Sequence, residues 1–304
     1  MNFLTYFFKS FGLAILGLFL FLSLSFFGLA LTINQTILNP DFTVSQVDRL
    51  DVASLGEDLL NGQILPQATV PIPSPIKQFI VEAVKDTIAD LEPWLKQQMR
   101  EVTYATYDYL EGRSQHLSVV IQLEPVKESL RDNLRETLLP SPPPGLARFS
   151  LDNIERYIDE FYQQIPSTFE LNEAWLGPQN MAQLRLMKQF IGHFHTIYYA
   201  LIGFILLLII AIILIYHEVR GSTRTLGTTF LSCGIVSYAG VWLTKYYIGV
   251  QLAQPQVPVY LQSWLPQLLA DTLAPMEMYS LGLLAVGIVL LVVSFVYKSS
   301  EPSL

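Results

Sequence analysis

The residues able to do chemistry in this chain are few, and their spacing works against it. His193 and His195 lie two apart, so on a helix their side chains diverge. A metal pair on one helix face needs a spacing of three or four. His116 and His217 stand alone in the sequence, and the single cysteine, Cys233, falls in an apolar stretch where a thiolate is costly. It reads as a small packing residue. No Walker loop, nucleophile elbow, dinucleotide fingerprint or His-Glu-x-x-His occurs. Carboxylates are plentiful between residues 32 and 190, but no two of them stand out as a catalytic pair. The expectation is therefore a protein without cofactor or metal that is not an enzyme.

Two other residue groups carry more information. Gly227, Cys233, Gly234, Ser237 and Gly240 place small side chains at near-helical spacing in one apolar stretch. Small residues let helices approach closely, so these form a candidate packing face. Glu218, Arg220 and Arg224 fall between two apolar stretches and form a candidate cytoplasmic coupling loop.

The elements that must position these residues are legible from hydropathy. Of 304 residues 51% are apolar and 14% charged, against about 25% charged in an ordinary soluble domain. The apolar residues gather in four blocks, 11–31, 196–216, 226–244 and 279–297, none with Asp, Glu, Lys or Arg. Each is long enough to cross a hydrocarbon core of about 30 Å. The first block is about twice as long as a signal-peptide core and reads as an uncleaved anchor. Cleavage after the small residues Gly28 and Ala30 is the alternative.

Lys and Arg near the membrane set orientation. Arg220 and Arg224 lie in the loop 217–225, whereas the loop 251–275 has neither residue type. Lys9 and Lys298 flank the outer blocks. Both termini and loop 217–225 are thus expected in the cytoplasm. Lys245 is the exception, and it reads as a snorkelling side chain beside Tyr246 and Tyr247.

The fold class expected is mainly α: four transmembrane helices, with a mostly helical extracytoplasmic domain at 32–190 between the first and second. Residues 1–31 form the anchor and 191–304 the three-helix membrane region, with an outer loop at 251–275. That loop, with Tyr260, Trp264 and several leucines, reads as a re-entrant or surface-lying segment or as a lid on the external domain. The domain at 32–190 is acidic and free of cysteine. It cannot use disulfides and has no electrostatic case for nucleic acid. The expected partners are the lipid bilayer and a protein partner or second copy.

Within 32–190 the pattern predicts helices over 43–60, from Ser74-Pro75 onward, and again after Pro93 until Gly112. Alternation over 117–123 predicts a strand, with 168–171 as its partner. Helices follow from Pro125 and from Ser150, separated by a stiff Pro140–Gly145 connector. Gly177-Pro178 opens one long helix to Tyr216.

Two resemblances accompany this reading. One span, a large external domain, then three spans, with Glu218, Arg224 and Leu226-Gly227 after the second span, resembles the FtsX- and MacB-type permease subunits. That likeness implies a relay between a cytoplasmic ATPase and an external partner. The segment before the first span and the loop 217–225 are shorter than in that family. The order Glu92-Pro93-Trp94-Leu95, Tyr109-Leu110-Glu111-Gly112, Glu124-Pro125-Val126-Lys127, Ile165-Pro166 and Arg224-Thr225-Leu226-Gly227 is similar to a group of bacterial four-span envelope proteins. It implies the architecture and no activity. The functional expectation is scaffolding, assembly or sensing in the bacterial cell membrane. A mechanotransmission subunit and an envelope-acting enzyme are the alternatives.

Overall fold

An apolar segment deprived of water has to satisfy its backbone groups internally, and a helix does so within one segment. The computed structural model describes residues 3–54, 74–138, 155–156, 158–159, 162–163, 166–216, 218–252 and 259–296. In it, all four apolar blocks are helices long and apolar enough to cross a membrane. They belong to α1 (Phe3–Gln35), α6 (Glu173–Tyr216), α7 (Val219–Leu252) and α8 (Val259–Val296).

The chain divides into two compact units. One comprises Met1–Phe42 and Phe190–Leu304, the other Thr43–Gln189. In the first, α7 and α8 pack along much of their length, and α1 touches both. Its core gathers Leu20 and Leu24 of α1, Ile205, Leu208 and Ile212 of α6, Leu226 and Cys233 of α7, and Leu283 of α8. Large apolar side chains on the other helix faces stay exposed, among them Phe26, Leu206, Val236 and Phe295. Apolar inside and out is the pattern of a bundle with lipid as its solvent.

The second unit contains α2 from Thr43 on, α3 (Ser74–Asp90), α4 (Glu92–Leu110), β1 (Ser118–Gln122), α5 (Glu124–Leu138), β2 (Thr168–Asn172) and the start of α6. α2 spans Pro40–Asp48 and begins with Pro40 at its first turn, where the Asn39 side chain accepts from the Asp41 N–H at 3.0 Å. Gly112, at φ 80°, ends α4 where only glycine is free of strain. β1 and β2 pair antiparallel, Ile121 opposite Phe169 and Val119 opposite Leu171. Leu117 and Val119 are buried while Ser118, Val120 and Gln122 are exposed, as the alternation requires. α3 packs on α5, and α4 lies against β1.

Three elements differ from expectation. The helix over 43–60 stops at Asp48. The chain restarts at 52–54 because the Asp51 carboxylate accepts from the Ser54 N–H at 3.0 Å and from its hydroxyl at 2.7 Å. These bonds, the backbone one foremost, hold the Asp51 carboxyl below its ordinary range. Of the loop expected at 217–225, residues 219–225 are helical, since α7 begins at Val219. Ser222 and Thr223 hydroxyls bond back to the Glu218 and Val219 carbonyls, at 3.0 and 2.7 Å, and so satisfy their own donors within the first turns of the helix. The outer loop 251–275 is helical from Val259, through Pro266 and Pro275, into the fourth span. The helix predicted from Ser150 is described only in part, with Ile158 buried. The Asn61-Gly62 stop, the Pro140–Gly145 connector and His217 lie outside the described residues.

Gly177, at φ 72°, interrupts α6 just before Pro178, and the helix then runs unbroken to Tyr216. That is the long helix expected from Gly177-Pro178.

Candidate functional site

The small residues of α7 divide between two neighbours. A methyl group on Gly227 would lie 3.0–3.1 Å from Leu290, Leu291 and the Gly287 carbonyl, and one on Gly234 would lie 2.9–3.0 Å from Leu284 and the Ser280 carbonyl. Both glycines therefore face α8. Gly287 answers them from α8: a methyl there would come within 2.7 Å of the Leu231 backbone nitrogen. Cys233 turns the other way, fully buried, with its sulfur 3.5 Å from the Ser25 hydroxyl of α1. Ser237, also buried, lies 4.0 Å from that sulfur. Gly240 is exposed, with open space where a side chain would stand. It takes no part in the contact of α7 with α8 or α1.

The candidate coupling residues do not form a loop. Glu218 precedes α7, and Arg220 and Arg224 occupy its first turns, all three exposed. The Arg220 carbonyl accepts from the Ser294 hydroxyl of α8 at 3.1 Å, tying the two helices at this end. At the other end Lys245 of α7 pairs with Glu277 of α8. A rise of about 1.5 Å per residue puts Lys245 about 31 Å along the helix from Arg224. This matches a hydrocarbon core of about 30 Å. Trp242 stacks on Tyr246 at 5.8 Å beside the pair, and Phe27 of α1 stacks on Tyr198 of α6 at 5.5 Å. Aromatic side chains at such a level are those of a membrane–water boundary. Lys245 is thus half of an ion pair as well as a candidate snorkelling residue. The pairing escaped the sequence reading because Glu277 is 32 residues away, between the outer loop at 251–275 and the last apolar block.

Among the described residues of the unit Thr43–Gln189, a cleft of about 430 Å³ lies between α4 and the sheet. Such a volume lies within the range of about 300–1,000 Å³ usual for ligand sites. α4 supplies Trp94, Leu95, Met99 and Val102 to one wall. Ile121 and Phe169, cross-strand partners, form the floor, with Leu123 and Val126 at the end where β1 passes into α5. The strand alternation explains the floor: the residues that turn inward from β1 and β2 are the apolar ones. Phe169 is held edge-on against Trp175 at 5.4 Å. Gln98 and Thr103 are the polar side chains of the lining, and the Thr103 hydroxyl donates to the Met99 carbonyl at 2.7 Å. No titratable side chain lines the cleft among the described residues.

The polar residues of this unit join its helices elsewhere. Lys127 is buried, its ammonium 4.4 Å above the Tyr162 ring and 3.3 Å from Glu124. Tyr162 donates a hydrogen bond to the other Glu124 oxygen. That bond, with Lys127 beside it, holds the Glu124 carboxyl below its ordinary range and pushes the Tyr162 hydroxyl up. Arg131 and Arg135 both approach Asp159, at 3.3 and 3.8 Å. Asn133 of α5 donates to Thr87 and Asp90 of α3, each at 3.1 Å. These contacts pair opposite charges or satisfy amides between helices, which is the work of structure. His116 lies 3.4 Å from Glu173, and His193 and His195 stay on α6. Among the described residues no three of His, Cys, Asp and Glu come together as a metal site would need.

In comparison with known proteins, no family model matches the chain, and neither a curated protein nor a solved structure matches it significantly.

Proposed function

We propose that this chain is an integral membrane protein of the bacterial cell envelope that acts by recognition, as a scaffold or sensor, through the unit Thr43–Gln189 held outside the cytoplasm. The observation that carries the reading is the cleft between α4 and the sheet. It has the size of a ligand site, its lining is apolar apart from Gln98 and Thr103, and no titratable side chain lines it among the described residues. Such a surface binds by excluding water and has nothing with which to move a proton.

The placement outside the cytoplasm rests on the distribution of basic residues. Arg220 and Arg224 mark one membrane face. Lys245, the residue that argues against this bias, is a single basic residue against Lys9, Arg220, Arg224 and Lys298.

The test is affinity purification of the full chain from its native membrane in a gentle detergent, beside the Met99→Glu variant, which puts a charge into the cleft. The reading expects a discrete envelope component, protein or lipid, with the wild type and its loss from the variant. The same set from both would overturn it. An ATPase at stoichiometric yield would replace it with the FtsX- or MacB-like reading.

A further inference from the structure

The chemistry of the cleft narrows what can occupy it. Its floor is a sheet face, so the backbone N–H and C=O groups of β1 and β2 lie in the plane of the sheet and are not aimed at an occupant. The Thr103 hydroxyl is already engaged with the Met99 carbonyl. A peptide lying here would find only the Gln98 amide to meet its own backbone groups, and each further amide turned to the apolar lining without a partner costs free energy. An aromatic metabolite or a sugar would bring polar groups with the same difficulty. A saturated or monounsaturated hydrocarbon chain has no polar group to satisfy, and every methylene gains by leaving water. Met99 adds a pliable wall that adapts to a flexible chain.

The source of such a chain is at hand. This protein has four helices fit to cross a membrane, and the unit containing the cleft begins at Thr43, a few residues after α1 ends at Gln35. The segment 32–190 is acidic, which disfavours an anionic headgroup at its surface. On the recognition reading given above, we propose that the cleft binds one acyl chain of a neutral or zwitterionic membrane glycerolipid.

The test uses Trp94, which lines the cleft, as a reporter. In a full-length variant with Trp175→Phe, Trp242→Phe and Trp264→Phe, Trp94 is the remaining tryptophan. Reconstituted into nanodiscs of phosphatidylcholine with dibrominated acyl chains, Trp94 fluorescence should fall at least twofold against unbrominated lipid. Adding Val102→Phe, which fills the cleft, should restore it. Because that variant can misfold, native mass spectrometry of the wild-type chain provides a second measure, with one lipid retained per chain. Full Trp94 emission in brominated lipid together with no retained lipid overturns the proposal. Quenching only by a brominated free fatty acid, added to unbrominated discs, overturns the membrane-lipid source. If neither lipid nor fatty acid quenches while Met99→Glu still strips a protein partner, this inference fails and the recognition reading stands. If Met99→Glu changes nothing either, both fail.

Discussion

At the scale of single residues, the most informative group is Glu124 with Tyr162 and Lys127. The Tyr162 hydroxyl is the main reason the Glu124 carboxyl titrates low, and Lys127 adds to it. A folded-state pKa below the unfolded one contributes stability that is complete above the ordinary carboxylate range. That stability is lost as pH falls through the lowered value. Tyr162→Phe removes the hydrogen bond and keeps the ring under the Lys127 ammonium. The expected outcome is that acid unfolding of the full chain, followed by circular dichroism, moves to higher pH than in wild type. Coincident acid-unfolding curves would show that the bond contributes nothing. None of this was legible in the sequence. Glu124 and Tyr162 are 38 residues apart, and the helical spacing of Glu124, Lys127 and Glu128 reads equally well as an ordinary solvated face.

At the scale of elements, the glycines of α7 and α8 give the clearest contrast. Gly234→Ala and Gly287→Ala push a methyl group against the backbone of the facing helix, so the two helices must separate. Overpacking of this kind costs about 1–3 kcal/mol. Gly240→Ala meets open space and removes a helix-weakening glycine, a gain of up to about 1 kcal/mol. Unfolding in mixed detergent micelles should rank Gly240→Ala at or above wild type, with the other two below it. The reverse order would contradict the packing of α7 on α8. Much at this scale was readable in advance. The β1 alternation and its partner at 168–171, the helices starting at Ser74 and after Pro93, and the long helix after Gly177-Pro178 all follow from local periodicity and punctuation. Two kinds of feature were not readable. Helices run through 219–225 and 259–275, past polar residues and prolines that local punctuation reads as stops. Gly287, the counterpart of Gly227 and Gly234, was missed because one helix viewed alone does not show which face its neighbour takes. The same limit made Gly240 look like part of the stripe.

At the scale of the whole molecule, the four apolar helices follow directly from the hydropathy of the chain, and the direction proposed for them rests on the charge pattern alone. The cleft does not follow from either. Its walls come from α4, β1, α5 and β2, and of the contacts that assemble them only the pairing of β1 with β2 was expected from the sequence. The account as a whole requires that the unit bearing this cleft lie on the opposite side of the membrane from the start of α7. Cysteine labelling tests this most directly. In a Cys233→Ala background, which frees the chain of cysteine, one variant carries Gln115→Cys and another Glu218→Cys, both at exposed positions. A membrane-impermeant maleimide applied to intact spheroplasts should label Gln115→Cys at once and Glu218→Cys only after the membrane is opened. Labelling of Glu218→Cys in closed spheroplasts, with Gln115→Cys protected, would invert the topology and contradict the account.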